Sequence, residues 1–360
     1  MSLHFDPQSS PSRDRPAAEP APIAISMCDP AGIGPEVVLK ALYAIRSAEH
    51  EKQASHQQTV SSLPKPSQGF RVRVFGDPDW LMKLSAELGC EVLFRDASWL
   101  SWESACEISS ALQVGLASAE AGQSAVDAVV TAAREVMAGR CRALVTAPLH
   151  KQAMHLAGYR YPGHTELLSE LAGNRPVRMM LEHRHLRTVL HSIHVSLRQA
   201  IEAVQTEPLL ETLSIANQSL TMLLGRKPRL FMAALNPHAG EAGAFGREEI
   251  ECLQPCISLA RQQGIQIEGP FAADTVFATA WDNPQVDAVI ALYHDQGLIP
   301  IKLLGMDWGV NITLGLPYIR SSPDHGTAFD IAWRGVARDD SLCAAIKLAV
   351  RLCNKESRSA

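Results

Sequence analysis

Short apolar, β-branched runs alternate along this chain with longer stretches whose apolar positions recur at helical spacing. Ile23 to Met27 reads as a short buried strand. Pro35 to Arg46 follows as a helix, with Pro35 in its first turn and Glu36 near the positive N-terminal end. Arg71 to Phe75 is the next strand; a long Ala-rich helix covers Ala117 to Ala138, and Ala143 to Thr146 is a strand closed by Pro148. Helices near Leu209 to Leu224 and Arg247 to Gln263 are accompanied by strands at Leu230 to Leu235 and Ala288 to Tyr293. Strand and helix in alternation predict an α/β chain, its sheet mostly parallel with helices on both faces. Two stretches break the pattern. Met1 to Ala21 is rich in Ser, Pro and Arg without period and lacks the apolar core of a signal peptide, so a disordered leader is expected. Ser47 to Gly69 is polar, is interrupted by Pro64 and Pro66, and reads as a surface insertion.

The 360 residues allow two domains or one large α/β unit, and 46% hydrophobic residues supply ample core. A formal charge of -5 without long blocks argues against nucleic acid as the main partner, so an anionic ligand must be held by local groups. No apolar run approaches the roughly 20 residues of a membrane span, which leaves no membrane partner. The 8 cysteines form no CxxC pair and follow no secretory segment, so reduced thiols of a cytoplasmic protein are expected. Cys252 and Cys256 lie one helical turn apart; ordinary packing outweighs a metal pair.

Candidate chemistry gathers in turn-rich segments. Gly163-His164-Thr165-Glu166, His191-Ser192-Ile193-His194, Asn236-Pro237-His238-Ala239-Gly240 and Tyr293-His294-Asp295-Gln296-Gly297 each carry a histidine off any amphipathic stretch. Apolar runs precede three of them, at Thr188 to Leu190, Leu230 to Leu235 and Val286 to Tyr293. The ends of parallel strands are where α/β proteins collect their chemistry. His194, His238 and His294 therefore suit an open divalent-metal site if the fold joins those strand ends. Lys302, Asn311 and Arg320, with Asp324-His325-Gly326-Thr327 beyond, form an anion-binding cluster suited to a phosphorylated small molecule. Lys302 and Arg320 stand in apolar surroundings where an unpaired charge is costly. The turn Asp29 to Glu36 has GxGP rather than GxGxxG spacing, a poor dinucleotide fingerprint and a good tight strand-to-helix turn.

Eight segments in order, Asp29 to Glu36, Thr146 to Lys151, Gly163 to Glu166, Leu235 to Glu241, Ala273 to Thr275, Tyr293 to Gly297, Val310 to Pro317 and Asp324 to Ala328, resemble the 4-hydroxythreonine-4-phosphate dehydrogenase family. The resemblance runs from about Ile23 to the C-terminus. It implies two α/β/α domains related in fold to isocitrate and isopropylmalate dehydrogenases, with mostly parallel sheets and an interdomain cleft. The division is 22–147 together with 310–360 as one domain, and 148–309 as a second bearing metal ligands and dimer contacts. It implies a homodimer whose active site is completed across the interface. His194, His238 and His294 become ligands of a divalent metal, zinc with magnesium or cobalt as alternatives; His164, Thr165, Lys302, Asn311 and Arg320 contact the phosphorylated substrate. The implied reaction is NAD-dependent oxidation of 4-phosphooxy-L-threonine, the product losing CO2 to give 3-amino-2-oxopropyl phosphate for pyridoxal phosphate biosynthesis. Lys302, or Asp295 through water, is the candidate base.

A wider similarity links His325-Gly326-Thr327-Ala328-Phe329-Asp330-Ile331 to the adenosine loop of the isocitrate and isopropylmalate dehydrogenases. There, an acid at Asp330 goes with NAD through the ribose 2′-OH. Two positions depart from the family pattern. Cys28 stands where Gly or a small residue is usual, and Trp333 where Gly commonly follows; Cys28 alters the first turn if that position needs positive φ. The competing activities are 4-phospho-D-threonate or D-erythronate oxidation on the same fold and, less suited to these phosphate binders, a dihydrodiol dehydrogenase. A non-catalytic metal or phosphate-metabolite binding protein is the alternative from another class.

Overall fold

The computed structural model describes residues 20–50, 64–66, 69–96, 98–305 and 309–359. The leader and most of the 47–69 insertion lie outside the described residues. The first half of the chain runs β1 (Ile23–Ser26), α1 (Gly34–His50), β2 (Val72–Gly76), α2 (Pro78–Leu88), β3 (Leu100–Ser104), α3 (Ala119–Met137), β4 (Ala143–Thr146), α4 (Lys151–Leu156) and α5 (His164–Leu171). Then come β5 (Arg178–His183), β6 (Leu186–Leu190), α6 (Leu197–Glu202), α7 (Thr206–Leu224), β7 (Arg229–Ala233), α8 (Gln254–Gln262) and β8 (Gln266–Phe271). The last elements are α9 (Ala273–Asp282), β9 (Ala288–Ala291), α10 (His294–Leu303), β10 (Val310–Leu314), β11 (Ile319–Pro323) and α11 (Asp340–Ser359).

All strands belong to one sheet in the order β3-β2-β1-β4-β11-β10-β5-β6-β9-β7-β8. The pairings from β3 through β11 are parallel, and so are those from β6 through β8. Between these two blocks, β11–β10, β10–β5 and β5–β6 pair antiparallel. The blocks are thereby joined edge to edge. Helices cover the sheet as expected of buried parallel strands: α3 packs on β1 and β2, α11 on β4, β10 and β11, and α9 and α10 on the far block. Among the described residues no helix is long and apolar enough to cross a membrane.

Two sequence boundaries move for physical reasons. α1 runs beyond Arg46 because Ile45 and Ala48 continue its buried face, so the polar insertion begins after the helix and not at Ser47. The expected helix from Arg247 to Gln263 is divided into a wider π-type turn at Glu249–Leu253 and α8. Pro255 has no NH to return to the Glu251 carbonyl, and the hydrogen-bond register shifts there. None of the eight cysteines is in a disulfide, and Cys256 is packed into the main core beside half-buried Cys252.

Candidate functional site

A cleft of about 350 Å³ opens where the ends of β4 and β11 meet α5 and α10. Its deepest group is Arg320, on β11 and only 2% exposed. Two neutral hydroxyls hold the guanidinium: Nη1 donates to Thr313 Oγ1 at 3.1 Å and Nη2 to Thr146 Oγ1 at 2.6 Å. Nε is buried without a partner, and among the described residues no carboxylate pairs with the ion. Burial pushes its pKa down to about 10, which leaves it cationic at neutral pH. A buried charge answered only by hydroxyls is costly unless an anion completes it. His164, first residue of α5, faces the same space; burial and then the neighbouring Arg320 charge hold its imidazole well below the ordinary range, hence neutral. Thr165 lies beside it, buried.

Lys302 and Asn311 line the other wall. Lys302 Nζ sits 3.4 Å from Asp324 Oδ2, and burial raises the Asp324 pKa against the lowering effect of that lysine. Asn311 Oδ1 is buried with no protein partner. The apolar run around Lys302 is not core: Ile299 and Leu303 are 64% and 85% exposed. Only Arg320 pays the desolvation penalty that the sequence suggested for both.

At the outer rim, His194 and His294 face each other with ring centroids 6.1 Å apart. Their backbones are tied together. Ser192 Oγ donates to Leu292 O, while Gln296 accepts from Leu292 N and donates to Ala234 O, fastening the ends of β6, β9 and β7. Burial first, then Lys151, lowers the His194 pKa. His294 Nδ1 donates to Asp295 Oδ1 at 2.7 Å, freeing Nε2 for another partner. Two imidazoles so placed fit part of a metal site. His191, by contrast, is consumed by Thr212 and Ala203 O, a satisfied structural histidine.

His238 does not join them. β7 neighbours β9, so the strand ends do converge, but residues His238 to Ala242 all adopt positive φ and carry the imidazole onto an exposed turn beside Phe245. Buried Glu249 clamps this left-handed turn, accepting from Leu235 N, Asn236 N and Asn236 Nδ2. Among the described residues, no three His, Cys, Asp or Glu groups of one chain gather as a metal site.

The family model described as "Pyridoxal phosphate biosynthetic protein PdxA" matches residues 27–349. The chain belongs to this family. It is 44% identical to a 4-hydroxythreonine-4-phosphate dehydrogenase of Beijerinckia indica, over 92% of this chain and 95% of that one. It is 41% identical to a D-threonate 4-phosphate dehydrogenase of Salmonella typhimurium, over 92% and 98%. The crystal structure of a 4-hydroxythreonine-4-phosphate dehydrogenase from Klebsiella pneumoniae superposes with a TM-score of 0.77 at 36% identity, covering 92% of this chain and 99% of that one. By family, the chain is a dehydrogenase.

In this PdxA-family chain the loop after β11 runs from the cleft toward α2. His325 and Gly326 line the cleft, and His325 Nε2 is buried without a partner. Thr327 is buried under the first turn, where Ile33 N donates to its carbonyl, and a Cβ at Gly32 would collide with its side chain. The Asp29 to Glu36 turn is thus a packing device; its Gly32 exists for close approach to this loop. Glu36, read as a helix-end charge, is fully buried and accepts from Gly335 N and Ala337 N. Asp330 is exposed. Both departures from the family pattern sit at positive φ, 54° for Cys28 and 62° for Trp333. Trp333 stacks obliquely on Trp80 at 4.9 Å and so packs the loop against α2. The sequence reading gave no role to Asp324, Thr146, Thr313 or Lys151. All four stand inside the family-like segments, but only the fold brings Asp324 to Lys302, Thr146 and Thr313 to Arg320, and Lys151 to His194.

Proposed function

We propose that this chain oxidises the 3-hydroxyl of 4-phosphooxy-L-threonine with NAD, the resulting β-keto acid losing CO2 to give 3-amino-2-oxopropyl phosphate. The observation that carries this reading is Arg320, a buried cation without a carboxylate at the bottom of a cleft that also holds His164, Thr165, Lys302 and Asn311. Such a pocket recognises a dianion or carboxylate through charge-assisted hydrogen bonds. His164 presents a neutral ring, and Asn311 an unengaged oxygen for the substrate's amine or hydroxyl. When bound, NAD accepts the hydride and a divalent ion, zinc in the first place, supplies Lewis-acid polarisation. The hydroxyl proton goes to the Lys302–Asp324 pair, which lines the cleft; Asp295 is engaged with His294 and orients that ring. A ketone β to a carboxylate is itself an electron sink, so CO2 leaves without a further cofactor.

The residues proposed to hold the metal are His194, His294 and His238 of a second copy. Support comes from the exposed apolar flank of Val195, Leu197 and Ile201 beside His194, with Ile299 and Leu303 on α10. Such a surface is well suited to burial in a homodimer. In the same reading, 22–147 with 310–360 and 148–309 act as two lobes about the cleft, and His325, Gly326, Thr327 and Asp330 hold NAD.

A second reading, oxidation of 4-phospho-D-threonate, is favoured by the nearly equal identity to the Salmonella typhimurium enzyme. NAD reduction by the metal-loaded protein, offered 4-phosphooxy-L-threonine, 4-phospho-D-threonate and 4-phospho-D-erythronate side by side, separates the two. A higher kcat/KM for 4-phosphooxy-L-threonine is expected; preference for a sugar acid would replace the first reading with the second.

A further inference from the structure

We propose that Cys28 is a positioning residue that fixes the tautomer of His164, so that the histidine presents Nδ1–H to an anionic ligand. This rests on the reading of His164 as a substrate contact. Cys28 follows β1 at φ 54°, in the left-handed region that side chains other than glycine's rarely adopt. Its sulfur lies 3.3 Å from His164 Nε2, from a residue 136 positions away.

The direction of that contact follows from counting protons. Buried Ser26 Oγ accepts from Cys28 N at 3.3 Å, and among the described residues the acceptor within reach of its own hydrogen is the Cys28 sulfur, 3.4 Å away. The sulfur is therefore already an acceptor. Burial pushes the thiol up to about 12, so it keeps its own proton at neutral pH. If His164 Nε2–H also donated, the sulfur would face two donors, and turning its S–H onto Ser26 Oγ instead would strand the serine's hydrogen in the core. If Nε2 is unprotonated, the S–H points at it and each hydrogen finds a partner. His164 is neutral beside Arg320, so it owns a single ring proton, which then resides on Nδ1. Among the described residues Nδ1 has no protein partner, and His164 lines the cleft. An anion held by Arg320 thus meets a fixed donor and not the lone pair of the other tautomer.

The test is ring-nitrogen NMR of the full-length protein labelled with 15N-histidine, the His164 signals being assigned by their loss in His164→Gln. In the unsubstituted protein Nδ1 should show a protonated-type shift and Nε2 an unprotonated one. Cys28→Ser, which keeps a donor, should preserve that pattern. Cys28→Gly removes the donor while relieving the positive φ, so a misfolded chain is not the expected cause of its effect, and it should give a mixture of tautomers. Calorimetric titration with 4-phosphooxy-L-threonine and 4-phospho-D-threonate should show about twofold to tenfold weaker binding to Cys28→Gly, the loss of one ordinary hydrogen bond, and near-normal binding to Cys28→Ser. An Nε2-protonated ring in the unsubstituted protein, or a pure Nδ1–H ring in Cys28→Gly, overturns the proposal. A tautomer mixture with unchanged affinity for both compounds supports the Cys28 assignment and overturns the reading of His164 as a substrate contact.

Discussion

The two ends of the cleft are built on opposite plans. Around Arg320 everything comes from one chain: β4, β10 and β11 supply Thr146, Thr313 and the arginine, and α5 brings His164 against Cys28. The groups are buried and locked before any ligand arrives. Around His194 and His294 the rings are partly exposed, the neighbouring helices show apolar side chains to solvent, and the third histidine sits on a separate left-handed turn. On the proposed reading, anion recognition is a property of the fold, whereas the metal end is completed by assembly. The contrast follows from energetics. A buried guanidinium must be preorganised to be tolerated at all, while partly exposed imidazoles keep contact with water and can wait there for a partner.

The largest effect should come from breaking the assembled end. His194→Ala, His238→Ala and His294→Ala should each abolish stoichiometric zinc in the purified protein and lower kcat to background, since one lost ligand of three opens the site. Mixing His238→Ala with His294→Ala subunits should restore part of the activity and metal, because a mixed dimer contains one intact site. Failure of any such mixture to recover metal, with subunit exchange verified by mass, would place all three ligands in one chain.

Arg320→Met should separate function from stability at the preorganised end. Substrate affinity should fall about tenfold to hundredfold, one charge-assisted contact of roughly 1.5–3 kcal/mol. The thermal midpoint should hold or rise, because an apolar side chain replaces an ion that lacks a counter-charge. NAD titration should be unaffected. A large drop in the midpoint would show that Arg320 serves the core more than the ligand.

Much of both ends was legible in the sequence. The strands that became β1, β4, β6, β7 and β9 are local apolar runs closed by turns, and Arg320 followed from charge in an apolar stretch. Three things were not. At the antiparallel seam β5 pairs with β10 from about 130 residues away, which no local period reports. The position of His238 depends on the successive positive-φ residues from His238 to Gly243, most of them not glycine, held by Glu249 from outside the motif. The Lys302–Asp324 pair is a tertiary contact between α10 and the β11 loop. Even Cys28 and Trp333 could be flagged only as departures; their positive φ explains why glycine suits those sites, and their side-chain contacts give each a use.

Acid should expose the same asymmetry more gently. The His164 pKa in the folded chain lies below its unfolded value near 6.5, so below that pH the unfolded state binds more protons. Its contribution is therefore fully present above pH 6.5 and is lost as pH falls. His191 and His194 are shifted in the same direction and add to the slope. Urea midpoints across pH 7.5 to 5 should decline, and His164→Gln should flatten part of that decline. An unchanged slope in the variant would mean that His164 is free to charge in the cleft.

The smallest effect is expected at the loop that follows β11. Thr327 is buried beneath Gly32, so its substitution would disturb the first turn as well as any ligand. Asp330 is exposed and has no such structural duty, which makes it the cleaner probe. If its carboxylate accepts from the ribose 2′-OH, Asp330→Ala should weaken NAD by about threefold to tenfold, one surface-exposed hydrogen bond to a charged group. Removing the negative charge should also admit NADP, whose 2′-phosphate it would otherwise repel. The substrate constant should not move, since Asp330 is not among the residues lining the cleft beside Arg320. Separate titrations of the variant with NAD, NADP and 4-phosphooxy-L-threonine decide the matter. Unchanged NAD affinity together with weakened substrate would assign the loop to the anion-binding end, making that end larger and moving the nicotinamide site elsewhere.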